Sequence, residues 1–113
     1  MTPTAEMVEC LQAYAAGTKP SREVERTAVK QVLARLSAAA PGRSVEVRIP
    51  PYAAIQIIEG TNHRRGTPSA VVEMSASALL HLATGAADWD TYVRNATVIA
   101  SGARSNLLHL FPC

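Results

Sequence analysis

The hydrophobic repeat of this chain changes period near Pro41-Gly42, and that change limits what the chain can fold into. Before it, Val24, Ala28 and Val32 recur at every fourth position, Val29 and Leu33 do the same, and Leu36 follows three further on. Arg22, Glu23, Glu25, Arg26 and Lys30 fill much of the remaining circumference. That is a helix buried on one side. After it, Val45, Val47 and Ile49 alternate with Glu46 and Arg48, the pattern of a half-buried strand. Such a chain must build a helix layer and a sheet layer and bury a face of each.

The same reading extends in both directions. Thr2-Pro3 opens a first helix, since proline suits the first helical position, with Met7, Val8, Leu11 and Ala15 as its apolar stripe and Gly17 as its stop. "TKPS" (18–21) connects the two helices, and Ser21 is placed to cap the second. "AAIQIIEG" (53–60) predicts a second strand with Ile55 and Ile57 on one side, and "SAVVEMS" (69–75) a third with Val72 and Met74 on one face. Helical spacing returns in "SASALLHLATG" (75–85). A shorter helix follows in "ADWDTYVRN" (87–95), with Asp88 as cap and Asp90 and Arg94 as an i,i+4 pair. "ATVIASG" (96–102) predicts a strand and "RSNLLHLF" (104–111) a last short helix. Consecutive strands with short loops imply an antiparallel sheet, so the predicted class is α+β.

At 113 residues the chain predicts one domain, with two helices over 3–40 and a sheet-and-helix region over 44–111. The hydrophobic fraction is 48%, but twenty of those residues are alanines, so the core rests on Val, Ile and Leu. The net charge of +2 is mild, the arginines are scattered and aromatics make up only 4%, which argues against a nucleic-acid partner. Cys10 and Cys113 form no C-x-x-C pair and no zinc spacing. Neither a signal peptide nor an apolar run of about 18 residues is present, so no stable membrane insertion is expected. The expectation is a cytoplasmic protein with reduced thiols.

From Ser75 to Phe111 the order is a polar cap, a leucine-bearing helix, Gly85, a short helix, a strand, Gly102, and a closing segment with Leu107 and Leu110. In that order the chain resembles the sterol carrier protein type 2 family. Its central part, "SVEVRIPPYAAIQIIEGTNHRRGTPSAVVE", looks more narrowly like the small actinobacterial sterol carrier-like proteins. The resemblance covers about residues 21–111. It implies a mostly antiparallel sheet of four to five strands with helices packed on one face. It also implies a tunnel between sheet and helices for an apolar ligand such as a fatty acyl chain or sterol. The sequence departs from the pattern at Asn95-Ala96, where many members carry glycine; asparagine tolerates the left-handed conformation that a turn there needs. It also stops at Cys113, where larger members continue with residues that cover the tunnel, so the resemblance leaves the size and the existence of a tunnel open.

Candidate site residues follow. Ile55, Ile57, Val72, Met74, Leu79, Leu82, Trp89, Val98 and Leu107 face the interior between sheet and helices. They are either an ordinary core or the lining of an apolar ligand cavity, and the two demand the same residue types. "NHRRG" (62–66) lies between strands two and three. Its first reading is a solvated hairpin tip, with Gly60 and Gly66 supplying turn conformations. The alternative is an anion clamp in which His63, Arg64 and Arg65 hold a carboxylate or phosphate headgroup. His63, His81 and His109 show no metal spacing, no serine sits in a G-x-S-x-G elbow, and Cys10 reads as a packing residue. Cys113 is read as an exposed, reactive thiol near a mobile chain end. The sequence thus predicts a non-catalytic carrier for a hydrophobic or amphipathic small molecule, without cofactor or metal. The alternative is a structural or regulatory interaction module, with a homodimer as one form. A third reading is an accessory to an isomerase-type enzyme.

Overall fold

In the computed structural model, which describes residues 2–60 and 70–113, helix formation begins at Thr4. The Thr4 Oγ1 accepts from the Met7 N–H at 3.1 Å and caps α1 (Ala5–Ala15), so Pro3 lies ahead of the cap instead of opening the helix. Ser21 caps α2 (Arg22–Ala39) in the same way, with its Oγ 3.2 Å from the Val24 N–H. The Gln31 side chain ties the two helices together. It accepts from the Thr4 hydroxyl and donates to Glu6 at 3.0 Å, and that bond is the first cause of the lowered Glu6 pKa.

Among the described residues four strands make one sheet: β1 (Val45–Ile49), β2 (Ala53–Ile57), β3 (Ala70–Glu73) and β4 (Ile99–Ser101), in the order β2-β1-β3-β4. The β1–β2 and β3–β4 pairs are antiparallel, whereas β1 and β3 run parallel. The sheet is therefore mixed, though mostly antiparallel. The parallel pair corrects the hairpin reading of "NHRRG". Strands two and three are not neighbours, because β1 lies between them. The burial pattern gives the reason. Val45, Val47 and Ile49 of β1 are all fully buried, which suits a central strand, while Ala54 of β2 is exposed at an edge.

Register fixes the buried face. Val47 lies opposite Ile55 on one side and Val72 on the other, and Val72 lies opposite Ala100. The opposite face carries Glu46, Arg48 and Glu73, with Glu46 and Arg48 ion-paired. Helices pack against the apolar face. Ser75 caps α3 (Ala76–Ala83), and Asp88, as expected, caps α4 (Trp89–Arg94) through the Thr91 N–H at 2.9 Å. Arg94 donates to the Thr91 hydroxyl at 3.3 Å, one residue short of Asp90. The predicted last helix shrinks to a single 3-10 turn, Leu108–Leu110. Leu107 ahead of it is fully buried, but Leu108 and His109 are exposed, so only one side of one turn finds a core to pack against.

Two turns depart from expectation. Asn95 keeps a negative φ, and Ala96 takes the left-handed conformation at φ 62° while Asn95 Oδ1 accepts from Thr97. At the end of β2 it is Ile58 that turns left-handed, at φ 66°, and not Gly60. Gly60 is required for room: a Cβ there would lie 2.8 Å from the Ser44 Cβ.

Candidate functional site

Clefts open among the described residues where separate elements end together. One, about 470 Å³, lies between the end of α1, the α1–α2 connection, the β1–β2 turn and the start of α3. Its centre is Glu25, in the first turn of α2 and half-buried. Tyr14 from α1 donates its phenolic proton to Glu25 Oε2, and Tyr52 after the β1–β2 turn donates to Oε1 at 2.6 Å. One carboxylate thus joins three elements. Burial first, and then the bond to Glu25, hold the Tyr14 phenol well above its ordinary value. For Tyr52 the bond to Glu25 is the first cause of the rise, opposed by the charges of Arg22 and Arg26. Lys19, Arg22, Ser75 and Ser77 also line this cleft.

A second cleft, about 340 Å³, lies between the C-terminal end of α3, the start of α4 and the 3-10 turn. Leu82, Trp89, Leu108, Phe111 and Pro112 supply the apolar part of its walls, and Asp88 and the backbone near Gly85 a polar part. The Trp89 and Phe111 rings stack there with centroids 6.0 Å apart. A third, about 310 Å³, sits by the sheet edge and is lined by Met74 and Ile99 among others.

The structure brings the nine predicted interior residues together. Ile57, Val72, Met74, Leu79, Leu82, Trp89, Val98 and Leu107 are buried in one cluster, and Ile55, half-buried, packs against it. Of the nine, Leu82 and Trp89 reach the second cleft and Met74 the third. His63, Arg64, Arg65 and Gly66 lie outside the described residues. His81 is half-buried with its ring against Tyr14 at 5.5 Å, and His109 is exposed. Cys10 is buried in the core, where burial pushes its thiol up to about 11. Cys113 differs from the exposed thiol expected. Its N–H donates to the Ala83 carbonyl at 2.9 Å, its carbonyl accepts from Arg35 at 3.2 Å, and burial raises its thiol pKa. Among the described residues no group of three or more His, Cys, Asp and Glu could hold a metal ion. No helix there is long and apolar enough to cross a membrane.

Tyr14, Glu25 and Tyr52 escape sequence reasoning. Arg22 and Glu25 read as ordinary surface charges on α2, and Tyr14 as a neighbour of Cys10. No local spacing links positions 14, 25 and 52, since helical pairing reaches only four residues.

A four-stranded mixed sheet with helices packed against its apolar face defines a small α+β domain. A family model described as bacterial SCP ortholog matches residues 21–113, and the chain belongs to that family. Membership is consistent with a carrier-type domain in a generally non-catalytic family. A search of curated proteins finds no match to the chain.

Proposed function

We propose that this domain binds a hydrophobic or amphipathic small molecule, a lipid or acyl chain, and carries it without bond chemistry in the cytoplasm. The observation that carries the reading is the cleft at the end of α3. It is lined by Leu82 and Trp89, which belong to the core cluster, so the apolar interior reaches the surface there. Its volume of about 340 Å³ falls at the small end of ligand pockets. An apolar chain entering there would meet Leu79, Val98 and Leu107 next, if α4 and the 3-10 turn move apart. His63, Arg64 and Arg65 are the proposed contacts for its polar end.

Trp89 is the chain's single tryptophan, so its fluorescence reports on this cleft alone. Titration with a fatty acid below its micellar concentration should shift and saturate that emission at one ligand per chain. Native mass spectrometry should then show the adduct. Arg64→Ala and Arg65→Ala should weaken a carboxylate-headed ligand but not a hydrocarbon alcohol of equal length. An unchanged Trp89 spectrum and a clean apo mass would remove the carrier reading.

A second reading, a structural or regulatory interaction module, draws on the closed interior. Ile57, Val72, Leu79, Val98 and Leu107 are each no more than 1% exposed. Such a module would keep its core sealed and associate through its surface. A concentration-dependent dimer by light scattering, with no ligand adduct, would favour it.

A further inference from the structure

We propose that the Glu25 cleft is a second binding site, for a small zwitterion, with an ammonium group against the Tyr14–Glu25–Tyr52 cluster and an acid group toward Lys19 and Arg22. This cleft shares no residue with the one at the end of α3 and does not rest on the carrier reading.

The argument begins with proton counting. A phenol has one O–H to give. Both phenolic protons are directed at Glu25, one to each carboxylate oxygen. What these three side chains leave for the cleft are the phenol lone pairs and the remaining carboxylate lone pairs, and all of those accept. A ligand group seated there must therefore donate. Because Glu25 also carries charge, a protonated amine fits better than a hydroxyl or an amide. The tyrosine faces add to this, since aromatic rings attract cations.

Positive charge on the same wall sets the second half of the ligand. Lys19 and Arg22 line the same cleft, both on exposed positions, and Arg22 stands close enough to Tyr52 to act on its titration. A cation bound alone would face these two positive groups. An anion bound alone would face Glu25. A molecule with both signs meets complementary charge at each end, and arginine in particular holds carboxylate or phosphate oxygens with paired donors. The half-buried Ser77 adds a hydroxyl to the wall. At about 470 Å³ the space is ample for a small zwitterion.

The test is an amide-shift titration of the full chain with phosphoethanolamine, and separately with ethanolamine and with inorganic phosphate. The zwitterion should perturb Ser77, Tyr52 and the first turn of α2 with a saturable, roughly millimolar Kd. Ethanolamine and phosphate alone should each bind at least about tenfold more weakly. Arg22→Ala changes an exposed side chain and should weaken phosphoethanolamine about tenfold while binding ethanolamine no more weakly than the parent, since one opposing charge is gone. Tyr52→Phe should weaken both. Vesicles containing phosphatidylethanolamine identify the source. Co-sedimentation lost in Arg22→Ala assigns the zwitterion to a lipid headgroup, and free phosphoethanolamine binding without co-sedimentation assigns it to a soluble molecule. Equal affinity for all three free probes, or no perturbation of the cleft by probes or vesicles, overturns the proposal.

Discussion

Replacing Gly42 by alanine tests the tightest crossing in the fold. Gly42 has φ 152°, which L side chains rarely adopt, and a Cβ there would overlap the carbonyl carbon and oxygen of Ile58 and the Glu59 nitrogen. These are backbone atoms, and they are held. The Ile58 N–H donates to the Ala40 carbonyl at 2.7 Å, and the Ile58 carbonyl accepts from the Ser44 N–H at 3.0 Å and from the Ser44 Oγ at 2.6 Å. Backbone strain at position 42 costs about 1–3 kcal/mol. Displacing Ile58 weakens hydrogen bonds to the buried Ser44, at about 1 kcal/mol or more each. The sum is about 3–6 kcal/mol, a large part of the stability of a domain of this size. Gly17 is the control. It too has positive φ, at 73°, but nothing lies within 4 Å of an added Cβ. Gly17→Ala should therefore cost only about 1 kcal/mol, the left-handed penalty for alanine. Urea denaturation followed by circular dichroism gives both values, with equal m-values confirming the same transition. If Gly42→Ala comes within about 1 kcal/mol of Gly17→Ala, the crossing is looser than described and the reasoning is refuted.

Further consequences can be measured on the same protein. Stability should fall as pH rises above about 9–10, where unfolded thiols and phenols begin to lose protons. Cys10, Tyr14 and Tyr52 hold theirs more tightly when folded, so their contribution is intact below those values and is lost above them. Tyr52→Phe should flatten the alkaline slope in urea titrations, and an unchanged slope would speak against the Glu25 network. Arg35 donates to the Thr2 and Cys113 carbonyls at 2.8 and 3.2 Å, so Arg35→Ala should speed thiol labelling of Cys113 while Cys10 stays slow. Equal rates in parent and variant would show that Arg35 does not hold that segment. Leu79→Ala, at a fully buried position, should cost about 2–5 kcal/mol, whereas Ile99→Ala, at 56% exposure, should cost well under 1 kcal/mol by the same denaturation assay.

The parts of this protein legible in its sequence are those that neighbours along the chain decide. Ser21 and Asp88 cap the helices expected of them because a cap bonds within three residues. The stripe from Val24 to Leu36 and the alternation from Val45 to Ile49 gave both periods, since each records which side of one element is buried. The interior residues were readable for the same reason, and the 3.6 and 2 periods together gave the α+β class. What only the tertiary structure decided involves elements far apart. The parallel pairing of β1 with β3 depends on which strand is buried along its whole inward set, a competition among strands that no single strand records. The left-handed turns at Ile58 and Ala96 fall on residues that disfavour them, because the crossing at Gly42 and the return into β4 impose the path. The Glu25 cleft is assembled from positions 14, 25 and 52, which lie on three elements. Nearest-neighbour patterns carry burial and capping, but the meeting of side chains across elements is fixed by packing alone.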